Sequence, residues 1–376
     1  MDEPSFTIGI EEEYLLVDLD TRDLAANPPA AFMKDCEERL GSRVSPEFLR
    51  CQVEIGTPVC NTIEDARQSL ADLRGTIAEV AKSYGMAPLA VSTHPFADWE
   101  RLMHTDKERY NELAEDLQVV VRRLVICGMH THVCIEDERL RNDIFNQLPY
   151  FLPHILALST SSPFWRGQKT GLKSYRLSIF NEMPRTGLPE QFASEEEYRR
   201  TVQVLVDAGL IEDASKIWWD LRPSSRFPTL EQRVTDVCPR MEDTLSLAAL
   251  FRCLARHLWR LRTQNQRWRQ YSRFLVEENR WLGQRHGVGG KMVDFGRGEC
   301  VAFPDLVEEI IQLIEPDAEH FGCVAAIEHL RAIANEGTSA DRQLALYDSE
   351  VKDGSPSHQA LKSVVDMLID ETVAGT

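Results

Sequence analysis

Three glutamates, Glu11, Glu12 and Glu13, stand together inside the apolar run IGIEEEYLLVD. Side chains alternate across a β-strand, so residues i and i+2 share a face. Read as a strand, this run puts Glu11 and Glu13 on one side and Ile8, Ile10 and Glu12 on the other. Three more segments repeat the design. In CQVEIG, Gln52 and Glu54 point away from Cys51, Val53 and Ile55. In GMHTHVCI, His130 and His132 point away from Val133 and Ile135. In TLEQRVTD, Glu231 and Arg233 oppose Leu230 and Val234. If the four segments are neighbours in one sheet, their polar faces form a common floor. One such pair alone would read as a solvated sheet face; four together point to a site. Crowded carboxylates cannot all stay ionised without a compensating charge, and a divalent cation supplies one. Oxygen ligands with one or two imidazoles suit Mg²⁺ or Mn²⁺ better than zinc. Magnesium with few protein ligands commonly has its shell completed by substrate phosphates. Arg233, beside Glu231, would then face those phosphates.

The elements that must position these residues read as a mixed chain. Strand-like segments fall at residues 6–18, 50–57, 87–92, 128–135, 216–222 and 229–235. Helices are predicted at 30–40, 62–84, 108–126 and 140–161, as a pair within 242–286, and at 304–334 and 357–373. Thr62 and Asp65 have the spacing of a capping box, and Gly85 supplies the stop. The order is not that of regular βαβ units, which favours an α+β fold with a largely antiparallel sheet. No repeat or flexible linker divides the chain, so residues 1–376 read as one domain, helical from about residue 300. The aromatic residues of 242–286 read as core, with part of that surface a candidate homodimer seam. Five glycines in 286–300 suggest a mobile loop or a plain surface connection. His94 and His104 read as structural, and Trp218 and Trp219 as core or as a wall of the site.

The bulk properties narrow the partners. Lys and Arg number 42 against 60 Asp and Glu, a net charge of −18, which argues against nucleic acid. No apolar stretch approaches the length of a membrane span, and the acidic start is unlike a signal peptide. Nine scattered cysteines without a CxxC pair read as free thiols of a cytoplasmic protein and argue against a cysteine-bound zinc.

The segments GIEEEYLLVD, QVEIGTPVC, GMHTHVCI, ALSTSSPFWRG, TGLKSYRLSIF, PRTGLP, WWDLRPSS and TLEQRVTDVCP occur in this order. Together they resemble the bacterial carboxylate–amine ligase family, the second type of glutamate–cysteine ligase. Four of them are also similar to metal-binding segments of glutamine synthetase. The resemblance implies a glutamine synthetase-like catalytic domain: a curved antiparallel sheet with helices on one face. It implies Mg²⁺ or Mn²⁺ held by Glu11, Glu13, Glu54, His130 and Glu231, with Glu47 a further candidate. It places His132 near the ATP phosphates and Arg233 on the transferring phosphoryl group, with Glu231 and Glu54 as its catalytic companions. Arg222 is implied for phosphates, and Arg176 and Arg185 for the substrate carboxylate. The implied reaction activates an amino-acid carboxylate, glutamate in the type case, as an acyl phosphate at the expense of ATP. An amine, cysteine or another, then forms the amide. A phosphotransferase, a regulatory protein on the same fold, or a ligase for another carboxylate and amine are the alternatives. The chain carries no P-loop and no GxGxxG opening a helix, so the nucleotide must be held another way.

Overall fold

The computed structural model describes residues 2–106, 108, 115 and 118–376. Of the predicted helix at 108–126, residues 109–114, 116 and 117 lie outside the described residues, and Val119–Arg122 is helical. The centre of the molecule is the strand that carries the glutamate triplet, β1 (Ile8–Asp18). It is flanked by β3 (Gln52–Gly56) on one side and β5 (Met129–Cys134) on the other. The sheet continues outward through β2 (Val44–Pro46) beyond β3, and through β7 (Thr229–Gln232) and β6 (Leu221–Pro223) beyond β5. A seventh strand, β4 (Met86–Leu89), pairs with the distal part of β1. Each of these pairings is antiparallel. The α+β reading and its antiparallel sheet therefore hold.

One face of the sheet is core. Ile8, Ile10 and Tyr14 of β1, Val53 and Ile55 of β3, Met129 and Val133 of β5, and Leu230 of β7 are buried there. Helices Ile63–Ser83 and Met241–Thr263 pack beneath them. The first of these starts with the Thr62–Asp65 capping box that its spacing predicts. The same core face holds a charge. Glu12, fully buried, takes both Nε and Nη2 of Arg74 from helix Ile63–Ser83, at 2.9 and 2.6 Å. Tyr14 Oη and Thr244 Oγ1 donate to the same carboxylate. The middle glutamate of the triplet thus belongs to the core and its neighbours to the opposite face.

Elsewhere the elements differ from the sequence expectation in ways that have local causes. The predicted helix at 140–161 is divided into Glu138–Gln147, a turn at Leu148–Tyr150, and Leu152–Ser159. Pro149 and Pro153 occupy the first turns of the second and third pieces, where no backbone donor is needed. The 304–334 helix is split by Gly322, at φ +63°, into Phe303–His320 and Val324–Glu336. The glycine-rich 286–300 segment forms a hairpin, Lys291–Asp294 against Glu299–Ala302, rather than a mobile loop. Helices Glu195–Asp207 and Ser339–Lys352 were not anticipated. The nine cysteines are free thiols. Among the described residues, no helix is long and apolar enough to cross a membrane.

Candidate active site

Antiparallel register, acting on a period of two, brings the polar side chains together. Across β1 and β5, Glu11 stands opposite His130. Across β1 and β3, Glu13 stands opposite Glu54, and Ser45 of β2 comes next in that row. On the other flank, His132 stands opposite Glu231, and Glu231 opposite Arg222. The residues form three overlapping triads: Glu11–Glu54–His130, Glu11–His132–Glu231 and Glu13–Glu47–Glu54. Within each triad one ligand atom per residue lies within 4.8 Å of the others. Six of the expected metal ligands, together with His132, therefore share one patch.

The hydrogen bonds fix how these groups point. Glu11 spans both imidazoles, with Oε2 3.3 Å from His130 Nδ1 and Oε1 3.5 Å from His132 Nε2. Glu13 Oε2 accepts from the Gly128 amide at 2.6 Å, and Glu54 Oε1 from Ser45 Oγ at 3.1 Å. Glu231 is gripped by two arginines: Arg222 Nε donates at 2.8 Å, and Arg233 Nη1 donates to its other oxygen. Arg222 also donates to the carbonyls of Ser215 and Ile217 at 2.9 and 2.8 Å.

The electrostatics divide the carboxylates into two kinds. Burial pushes Glu54 well above the usual carboxylate range, and the nearby Glu47, Glu11 and Glu13 push it further. Burial raises Glu13 as well, against the pull of Arg176. Glu11 lies below the usual range despite its burial, held there by hydrogen bonds to His130 and His132. Glu231 is likewise low despite burial, because Arg233 and Arg222 flank it. Burial and the adjacent Arg233 lower His130 to about 4, leaving a neutral ring with a lone pair to donate at physiological pH. One end of the floor is thus matched by arginines. The other end, around Glu13 and Glu54, holds carboxyls that burial raises.

The floor lies in a cleft of about 580 Å³. Its walls add Phe48, Leu124, Ile126, Phe180, Met183 and Trp218, with Lys216 and the turn Ser224–Ser225–Arg226–Phe227 at the side of β7. Phe227 is 58% exposed, its ring meeting that of His132 edge-on at 6.3 Å. Arg176 lines the cleft too. It is buried against Phe180, with Nη2 donating to the Arg233 carbonyl at 3.3 Å. Its Nε and Nη1, and Nε of Arg233, are buried with no partner among the described residues. Arg185 is not brought to the cleft wall: its Nε donates to the Lys216 carbonyl and its guanidinium stacks on Trp218. Trp218 is a wall of the cleft, whereas Trp219 packs on Phe192. His94 and His104 lie elsewhere, His94 accepting from the amides of Phe96 and Ala97 and His104 stacking on Phe48.

The sequence reading missed Lys216, the Phe227 turn and the support beneath Arg176. It quoted Gly128 without a role. A Cβ at Gly128 would stand 2.4 Å from Arg176 Nη2, closer than atoms approach. Gly128→Ala is expected to push the guanidinium out of place. Turnover should fall by about 10- to 100-fold while the thermal midpoint moves by only a few degrees. Steady-state kinetics and a melting curve on the variant check this; unchanged turnover would remove Arg176 from the site.

The site is an acidic sheet floor with imidazoles at its centre and arginines at one end. The relatives of this chain place it among the ATP-dependent ligases. The chain belongs to glutamate–cysteine ligase family 2, whose model matches residues 7–366. It is 59% identical to the "Putative glutamate--cysteine ligase 2" of Rhodospirillum rubrum, over 100% of this chain and 97% of that protein. Among solved structures, the glutamate–cysteine ligase of Francisella tularensis in complex with AMP superposes with a TM-score of 0.68 at 13% identity. That match covers 98% of this chain and 89% of the other. A bifunctional glutathione synthetase from Pasteurella multocida superposes with a TM-score of 0.70 at 16% identity, covering 97% of this chain. This chain spans only 52% of that longer protein. At these identities the two structures establish the fold.

Proposed function

We propose that the cleft joins the γ-carboxylate of glutamate, or a closely similar amino-acid carboxylate, to an amine through an acyl phosphate. Cysteine is the first amine to test. The observation that carries the reading is the set of three overlapping ligand triads beside Arg176 and Arg233, whose Nε atoms, with Nη1 of Arg176, have no partner among the described residues. The donor set fits Mg²⁺ or Mn²⁺: carboxylate oxygens with one or two imidazoles, and raised carboxyls at Glu13 and Glu54. Glu11, Glu13, Glu47, Glu54, His130 and Glu231 would hold the metal. When bound, it would neutralise charge on the phosphates and on these carboxylates together.

The chain's own groups then have distinct tasks. Arg233 sits where a transferring phosphoryl group would meet the floor, and its guanidinium would stabilise the equatorial oxygens. His132 and Arg222 border the same end, and the exposed ring of Phe227 meets His132 edge-on there. Arg176 would orient the carboxylate. That carboxylate attacks the γ-phosphorus, and ADP leaves with the bridging oxygen. The amine attacks the acyl carbon, phosphate leaves, and the proton lost by the amine passes to a carboxylate or phosphate oxygen in the cleft.

The direct test is phosphate release from Mg·ATP, with glutamate and other amino acids offered against a panel of amines that includes cysteine. Release that requires glutamate and cysteine, with γ-glutamylcysteine seen by mass spectrometry, supports the full reading. Release with another amine keeps the mechanism and changes the acceptor. Release on carboxylate alone, with no amine needed, would favour a phosphotransferase.

Glu54→Gln gives a second test with opposite effects on activity and stability. A carboxyl with a raised folded-state pKa holds its proton longer folded than unfolded. Its contribution to stability is full below the unfolded value and is lost as pH rises through the folded one. At pH 7.5, metal-free wild type therefore carries a cost at Glu54 that glutamine lacks. Glu54→Gln is expected to be about 1 kcal/mol more stable than wild type in EDTA, and less stabilised than wild type by added Mg²⁺. Its turnover should fall by two orders of magnitude or more, about what loss of one key electrostatic group costs. Denaturation with and without Mg²⁺ checks both; wild-type activity that persists in EDTA would sink the metal assignment.

A further inference from the structure

We propose that Asp236 is the positioning residue for Arg176, compensating its charge from behind without occupying its donors. The inference rests on the reading of the cleft just given, in which Arg176 orients the carboxylate.

Asp236 is completely buried behind the floor, where it bridges to Gly128. Its carboxylate takes three hydrogen bonds. Oδ2 accepts from the Ser161 amide at 2.9 Å and from Ser162 Oγ at 2.7 Å, and Oδ1 accepts from Ser174 Oγ at 2.8 Å. Ser162 Oγ in turn accepts from the Arg176 amide at 3.1 Å. The Asp236 amide donates to Ser159 Oγ at 3.2 Å. One carboxylate therefore ties together the serine-rich turn 159–162, the segment that carries Arg176, and the chain leaving β7. Three donors converge on two oxygens, which, with Arg176, favours the ionised form against the burial that raises the carboxyl.

Three other buried carboxylates meet their arginines directly. Glu12 is bidentate with Arg74, and Asp220 takes Nε and Nη2 of Arg280. Asp317 takes Arg256 and Arg260. In each case the guanidinium is spent on its partner. Asp236 and Arg176 share no hydrogen bond, yet Asp236 is the foremost charge holding Arg176 in its ionised form against burial. The Ser162 and Ser174 hydroxyls absorb the carboxylate's hydrogen bonds, and Ser162 links it to the Arg176 backbone amide. The arginine is left with compensated charge and two donors, Nε and Nη1, that have no partner among the described residues. A buried guanidinium without a nearby anion would be costly, and one salt-bridged to its anion could not grip another. The arrangement avoids both and leaves Arg176 ready for an incoming anion.

The test is Asp236→Asn, which keeps shape and removes charge, alongside Ser174→Ala, which removes one link and keeps the charge. Two readouts are taken. The Arg176 Nε–H resonance, assigned by its loss in Arg176→Ala, is expected to shift and exchange faster with solvent in Asp236→Asn. This readout needs no turnover, so it stands apart from the proposed reaction. In turnover, KM for the carboxylate donor is expected to rise about tenfold or more in Asp236→Asn, with KM for ATP within about twofold. In an Arg176→Ala background the same substitution should add no further loss. Ser174→Ala should show the same split, smaller in size, and serves alone if Asp236→Asn does not fold. An unmoved Nε–H signal, equal rises in both KM values, or a loss fully additive with Arg176→Ala would each overturn the proposal. A wild type that turns over no carboxylate would instead overturn the reaction assigned to the cleft, with the resonance still deciding the role of Asp236.

Discussion

Arg233→Ala is expected to lower kcat by about a thousandfold while changing ATP affinity only a few-fold. An arginine that stabilises a transferring phosphoryl group contributes mainly in the transition state, and such arginines contribute about 10³ or more. The structure isolates the effect. Glu231, the partner lost by the substitution, keeps its pair of hydrogen bonds from Arg222 at 2.8 and 3.1 Å. No buried carboxylate is left bare, so stability should hold and the loss should be chemical. Arg233→Lys should recover little, because a point charge cannot reproduce a planar fork. Kinetics together with calorimetric titration of a non-hydrolysable ATP analogue distinguish the cases. A loss confined to nucleotide affinity would move Arg233 from the transferring group to ground-state binding.

Glu12→Ala is expected to show the reverse, a large loss of stability with its cause outside the cleft. The substitution strands Arg74, which is fully buried and whose remaining acceptors are the carbonyls of Cys238, Pro239 and Thr372 and the hydroxyl of Thr244. Removing one partner of a buried pair costs roughly 3–5 kcal/mol, a large part of the stability of an ordinary domain. Urea denaturation should show the midpoint falling accordingly. Glu11→Ala, one residue away, should cost far less stability, because its side chain is 34% exposed and faces the cleft. Equal midpoints for the two variants would contradict the assignment of Glu12 to the core.

The contrast between adjacent glutamates shows what sequence could convey. Period-two alternation was legible in four short segments, because each sets apolar residues opposite its polar pair. Their adjacency could only be inferred, and the register that stacks Glu11 on His130 and Glu13 on Glu54 is a property of the folded sheet. Glu12 was placed on the apolar side, but its partner lies 62 residues away on a helix whose own pattern reads as ordinary amphipathic surface. Asp236 ended a motif that was quoted for Glu231 and Arg233, and its task depends on serines from two distant loops. Arg185 sat in a motif beside the others, yet a left-handed backbone at φ +60° and a stack on Trp218 turn it away from the cleft. The helix at 140–161 was read through its prolines because their apolar neighbours keep helical spacing on both sides. Residue type and local period were visible; partners supplied from far along the chain were not.

The triplet has one more consequence, and it concerns inheritance rather than chemistry. A one-residue shift in β1 exchanges its two faces. It would send Glu11 and Glu13 into the core, where a single Arg74 waits, and lift Glu12 away from it into the cleft. Core and cleft would fail at once. Point substitutions at this strand can be sampled one face at a time, but an insertion or deletion of one residue within it has no viable neighbour. The length of this strand should therefore be the most rigid feature of the lineage, fixed even where its individual side chains drift.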